Sequence, residues 1–165
     1  MPGVNLADDC FELALVLENK MMRYYQAMAK AYPSPPSVYG FLHSLALDEA
    51  KHIDELKRAR IEANPNTWIQ EPLLNVLKDL HRWDAHLNRV ISLTGENFLE
   101  VYETICRIET FEVNGSFVFL TSGLMRGGNT PDLRKELIRA HLGIVEGFVK
   151  VLSRAEMKGI LPVAV

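Results

Sequence analysis

Glu49 and His52 lie three residues apart in a stretch, Ser37 to Ala63, that holds few helix breakers. Side chains at that spacing share one face of a helix. The same face otherwise reads Val38, Leu42, Leu45, Leu56 and Ala59, so a carboxylate and an imidazole interrupt an apolar seam. An ionised carboxylate is costly in a core unless it is paired or binds a metal. Carboxylate oxygens suit a hard cation, and an imidazole beside them selects a transition metal over calcium or magnesium. The chemistry offered is therefore that of a buried metal site.

One such pair is common by chance, so the weight rests on matching polar residues in other apolar seams. A first helical pattern, about Leu6 to Ala31, has the seam Phe11, Ala14, Glu18, Met21/Met22, Tyr25 and Met28, with Glu18 its only charge. A third pattern, about Glu96 to Met125, aligns Phe98, Tyr102, Ile105, Glu109, Glu112, Ser116 and Phe119. A fourth, about Pro131 to Lys158, aligns Ile138, His141, Val145, Phe148 and Leu152. The candidate ligands are thus Glu18, Glu49, His52, Glu109, Glu112 and His141. Four carboxylates and two imidazoles facing into a helix bundle are the donor set of a di-iron carboxylate centre.

Helix punctuation supplies the elements that must position these groups. Pro33-Ser-Pro-Pro36 ends the first helix and opens the second, and so short a connection makes the two antiparallel neighbours. Asn64-Pro-Asn ends the second helix, and residues 64–95 then hold one modest amphipathic pattern, Leu73 to Val90. Gly127-Gly-Asn-Thr-Pro131 separates the third helix from the fourth, with Thr130 as N-cap and Pro131 in the first turn. Two helical hairpins joined by a long crossover require the second and third helices to run parallel.

The composition is that of a globular protein: 165 residues, the size of one domain over 1–165, with a net charge of -3 that leaves no footprint for nucleic acid. The start of the chain lacks the basic and apolar regions of a signal peptide, and no apolar run approaches membrane-spanning length. A cytoplasmic protein is the expectation. Cys10 and Cys106 are far apart and form no Cys-x-x-Cys, which excludes an iron–sulfur or zinc-ribbon module among these residues. Free thiols are expected in a reducing compartment.

A faint internal repeat lays Leu17-Glu18 over Ile108-Glu109, and Glu49-Ala-Lys-His-Ile-Asp54 over His141-Leu-Gly-Ile-Val-Glu146. Here the chain resembles the rubrerythrin-like branch of the ferritin superfamily, over residues 6–63 and 96–158. The resemblance rests on Glu18 in Leu-Glu-Asn-Lys-Met-Met-Arg-Tyr-Tyr, on Asp48-Glu-Ala-Lys-His52 and on Glu109-Thr-Phe-Glu112. It implies an all-α, ferritin-like antiparallel four-helix bundle with one long crossover between helices 2 and 3, at about 64–95. It also implies that Glu18, Glu49, His52 and Glu112 surround one iron and that Glu109 serves the other. The fourth helix departs from the family pattern: it offers His141 and Ile144 where a Glu-x-x-His belongs. The rubredoxin module of many rubrerythrins is also missing from these residues, so electrons would come from a separate donor.

Blander readings stand beside this one. Glu49 and His52 could be a metal-free core pair, one of Glu109 and Glu112 could lean to solvent, and His141 is as easily a structural side chain as a ligand. Glu146, four residues before Lys150 and near Arg139, reads as a solvated face. Asp48 is either a partner that orients a ligand imidazole or a surface residue, and Tyr24, Tyr25 and Tyr102 flank the layer, with packing as their default role. His81 and His86 fall on different faces of the crossover and make poor metal partners. Gly143 and Gly147 give a small face suited to close helix approach, and Ile160 to Val165 is a packing strand or a partner contact. The expected function is a non-haem iron protein with up to two irons per chain, or another transition metal, that reduces peroxide or oxidises ferrous iron, as a homodimer. The alternative is a metal-binding or structural dimer whose altered fourth helix has ended catalysis, and the sequence leaves open whether the protein is an enzyme.

Overall fold

The computed structural model describes residues 6–62, 70–92, 96–112, 120, 143 and 145–163, apart from the side chains of residues 70, 71, 111 and 112. All regular structure among them is helical. Helix α1 spans Leu6–Ala31 and α2 spans Pro36–Glu62. Pro36 opens α2, where its missing N–H is no loss, and the Val38 and Tyr39 amides donate to the Pro35 carbonyl. The two helices run antiparallel: Arg60, near the end of α2, pairs with Asp8 at 3.1 Å and Glu12 at 2.5 Å near the start of α1.

The long crossover, with its one modest amphipathic pattern over Leu73 to Val90, holds a full helix, α3, Gln70–Ile91. Its buried residues, Leu73, Val76, Leu80, Trp83, Leu87 and Val90, recur at alternating three- and four-residue steps, the seam that lets one helix lie along another. That seam packs on α1, and the two helices run parallel. The Cys10 thiol meets the Leu73 carbonyl near both starts, and Lys20 reaches Asp84 at 2.5 Å and Asn88 at 3.1 Å further along. At about 1.5 Å per residue, the 22 residues of α3 carry the chain roughly 33 Å along α1, in the direction opposite to α2.

Helix α4, Phe98–Glu112, begins at Asn97, whose side chain accepts from the Glu100 amide. It runs antiparallel to α1, with Tyr32 against Phe98 at one end and Tyr25 bonded to Glu109 further along. It runs parallel to α2, because Phe41 packs on Tyr102 near both starts while Glu49 lies within electrostatic reach of Glu109 about two turns later. Of the expected continuation to Met125 only Leu120 is among the described residues, and it is helical and buried.

The fourth helical pattern requires a correction. It was expected to run unbroken to Lys158, but the helical residues 145–149 give way to a turn, and a separate helix α5 occupies Arg154–Gly159. The cause is local. Ser153 accepts from the Glu156 amide while the Glu156 side chain accepts from the Ser153 amide, a reciprocal cap that starts a new helix. Val145 and Phe148 still face the core as their spacing requires. Phe148 stacks on Phe41 at 4.1 Å, and the Tyr102 hydroxyl donates to the Val145 carbonyl at 3.0 Å. This aromatic cluster joins α2, α4 and residues 145–149 at one end of the helices.

The tail closes the same end. The Ile160 carbonyl accepts from the first amide of α4, and the Val163 amide donates to the Ala31 carbonyl at the end of α1. Each bond satisfies a backbone group that a helix terminus leaves without an intrahelical partner. Both cysteines are free thiols. No helix among the described residues is long and apolar enough to cross a membrane.

Candidate metal centre

Two helices supply the centre. On α1, Ala14, Met21 and Tyr25 lie above and below Glu18, and all are buried. On α2, Leu45 and Leu56 bracket Glu49 and His52 in the same way. The apolar residues of each seam force the face inward, and the polar residues go in with it. Glu18 is 0 % exposed, Glu49 1 %, His52 7 % and, from α4, Glu109 1 %.

Glu18, Glu49 and His52 form one group. A donor atom from each lies within 4.8 Å of the others. His52 Nδ1 is 3.2 Å from Glu49 Oε2 and 3.4 Å from Glu18 Oε2, so one ring nitrogen faces both carboxylates. Two donors that each sit about 2.1 Å from a shared ion are separated by roughly 3.0 to 3.4 Å in octahedral or tetrahedral sets. The two His52–carboxylate separations fall in that range, and two oxygens with one imidazole nitrogen are a transition-metal donor set.

The electrostatics favour a cation. Burial, then the neighbouring Glu18 carboxylate, hold the Glu49 carboxyl well above the usual carboxylate range. The hydrogen bond from His52 acts in the opposite direction, and Glu109 adds a further upward push. Carboxylates crowded in an apolar layer repel one another unless positive charge is placed among them. One imidazolium can balance only one of them.

Glu109 approaches from α4 and accepts a hydrogen bond from the Tyr25 hydroxyl at 2.5 Å. This role for Tyr25 is one that sequence reasoning placed behind packing. The available signal is its position on the α1 seam seven residues after Glu18, two turns along one face. The side chain of Glu112, and all of His141 and Ile144, lie outside the described residues. Asp48 takes the surface role, its carboxylate pairing with Lys51 at 2.6 Å. Glu146 is exposed. Among the described residues, no other group of three His, Cys, Asp or Glu side chains is close enough to share an ion.

The buried Glu18/Glu49/His52 group could hold a metal. Compared with known protein families, characterised proteins and solved structures, the chain shows no significant match to any. The chain is therefore an all-helical protein with a candidate metal centre, and its function has to be argued from that centre.

Proposed function

We propose that this chain is a ferritin-like, non-haem di-metal carboxylate protein that uses iron to reduce peroxide or to oxidise ferrous iron. The observation that carries the reading is the buried Glu18, Glu49 and His52 group, whose donor spacing suits a shared ion. The parallel run of α2 and α4 on either side of a long crossover supports the fold part of it. In this reading Glu18, Glu49 and His52 would hold one metal ion, and Glu109 would serve a second with Glu112 and His141. Iron, when bound, would supply a redox couple for two-electron chemistry on an O–O bond.

The chain's own residues do the rest. Glu18 and Glu49 balance the charge of a dication without water, and His52 makes the group selective for transition metals. Tyr25 holds the Glu109 carboxylate in place by a hydrogen bond. The apolar residues that bracket each ligand exclude solvent from the layer. A separate electron donor and a homodimeric assembly complete the proposal.

A second reading is a one-metal protein without redox turnover. It is favoured by Ile144, an apolar side chain at the position where the internal repeat calls for a second histidine. Anaerobic titration with ferrous iron separates the two. Two equivalents bound, with peroxide consumed by the reduced protein, supports the first reading. One tight equivalent without peroxide turnover supports the second. A protein that binds no iron, and whose melting is the same with and without chelator, overturns both. His141→Glu combined with Ile144→His is expected to tighten a second site if the repeat alignment holds.

A further inference from the structure

The side of α1 that faces away from Glu18 lines a cavity of about 520 Å³. Its α1 wall is Tyr24, Ala27, Met28 and Ala31, and Tyr32, Ile91 and Pro162 complete the apolar lining. The cavity thus lies between the second half of α1, the end of α3 and the tail. The polar lining is Lys20, Arg23 and Asn88. A space of a few hundred Å³ with mostly apolar walls and a few polar groups is the usual form of a small-molecule site.

The charges are unequal in an informative way. Lys20 is engaged by Asp84 at 2.5 Å and by Asn88 at 3.1 Å, so its charge is already balanced. Arg23 lies one turn further along α1, is exposed, and has no ion pair among the described residues. A guanidinium presents paired donors that match a carboxylate. Beyond Arg23 the lining becomes apolar as far as Ala31 and the tail. From Arg23 to Ala31 the α1 wall is roughly 12 Å long at 1.5 Å per residue, about the length of an extended chain of ten carbons.

We infer that this cavity binds a free amphipathic carboxylate, its head on Arg23 and its alkyl chain along Ala27, Met28 and Ala31 toward Pro162. The site is separate from the candidate metal centre. Glu18 and Tyr25 point from the opposite side of α1, a helix about 10 Å across with its side chains.

Decanoate, titrated into the full chain below its micelle concentration and followed by calorimetry, tests this. Decanol and decyltrimethylammonium are the controls. Decanoate is expected to saturate one site per chain, with both controls weaker by about tenfold or more. Arg23→Gln removes the preference for decanoate over decanol. Ala27→Trp fills the cavity and weakens decanoate and decanol together by at least about tenfold, with the iron titration unchanged. Absence of saturable decanoate binding, equal affinity for decanoate and decanol, or indifference to Ala27→Trp in a folded variant would each overturn the inference. Arg23 is exposed, so its variant decides the matter of charge even if the tryptophan variant fails to fold.

Discussion

Replacing Glu49 by Gln is expected to change protein stability in opposite directions with and without metal. The substitution keeps the shape of a side chain that is 1 % exposed and removes a carboxylate crowded by Glu18 and Glu109. In the metal-free protein the amide can donate to Glu18 and still meet His52, so repulsion is exchanged for hydrogen bonds. Replacing a whole buried ion pair by uncharged residues is often neutral or stabilising by about 1–4 kcal/mol, and here Glu18, 3.4 Å from His52, stays to pair with the imidazole when Glu49 is made neutral. For a chain of this length each kcal/mol moves the melting temperature by about 2–4 °C, so a rise of roughly 2 to 16 °C is expected. With metal at a thousand times its dissociation constant, the unmodified protein gains about 4 kcal/mol, which reverses the order. The amide is a poor metal ligand, and the variant should gain little. Melting curves of both proteins, each in chelator and in anaerobic ferrous iron, give the four values needed. A metal-free variant less stable than its parent by about 2 kcal/mol or more, with no shift by metal in either protein, is the contrary outcome. Glu49 would then be the partner of a buried imidazolium, and the layer an ion pair.

Other expectations follow from single contacts. Tyr25→Phe leaves the buried Glu109 carboxylate without its hydroxyl donor and should cost about 1.5–3 kcal/mol by chemical denaturation, while loosening the second metal position but not the first. Ser153→Ala removes the reciprocal cap and should cost about 1 kcal/mol, with faster amide exchange at Met157 and at Phe98, whose amide bonds the tail. Burial, then Asp9, push the Cys10 thiol up to about 11 from 9.0. The neutral thiol is thus favoured in the folded protein, and its contribution to stability is present below about pH 9 and lost as the pH rises toward 11. Iodoacetamide at pH 8 should accordingly leave Cys10 unmodified in the native protein and label it after unfolding; rapid labelling of the native protein would show that α1 opens against α3.

The parts of the fold legible in the sequence are those where periodicity and punctuation agree. The seams of α1 and α2 are continuous and Pro33 to Pro36 separates them, so both helices and their inward faces could be read directly. Residues 150–153 were not legible because Leu152 continues the spacing of Val145 and Phe148, and this apolar seam outweighed the Ser153-x-x-Glu156 signal of a new start. The position of α3 was legible, but its parallel course along α1 depends on which of several seams packs together, which spacing within one helix does not specify. The same division holds at the centre. Glu18, Glu49 and His52 stand out because each interrupts an apolar seam. The bond from Tyr25 to Glu109 depends on the register between α1 and α4, and a tyrosine on an apolar seam reads equally well as packing.

The positions of Glu18, Glu49 and His52 also bear on the order in which the protein matures. All three belong to α1 and α2, so the donor group is closed by a hairpin whose interacting side chains are at most 34 positions apart (Glu18 to His52). Contacts of such short range form early and quickly compared with those linking distant segments. During synthesis, α1 and α2 are complete before α4 leaves the ribosome. A nascent hairpin could therefore capture an ion while Glu109 and its tyrosine partner are still apart, and α4 would dock onto a centre already charged. Metal supply would then act as an assembly cue, favouring the packed hairpin over its open forms at the stage when its apolar seam is most exposed to aggregation.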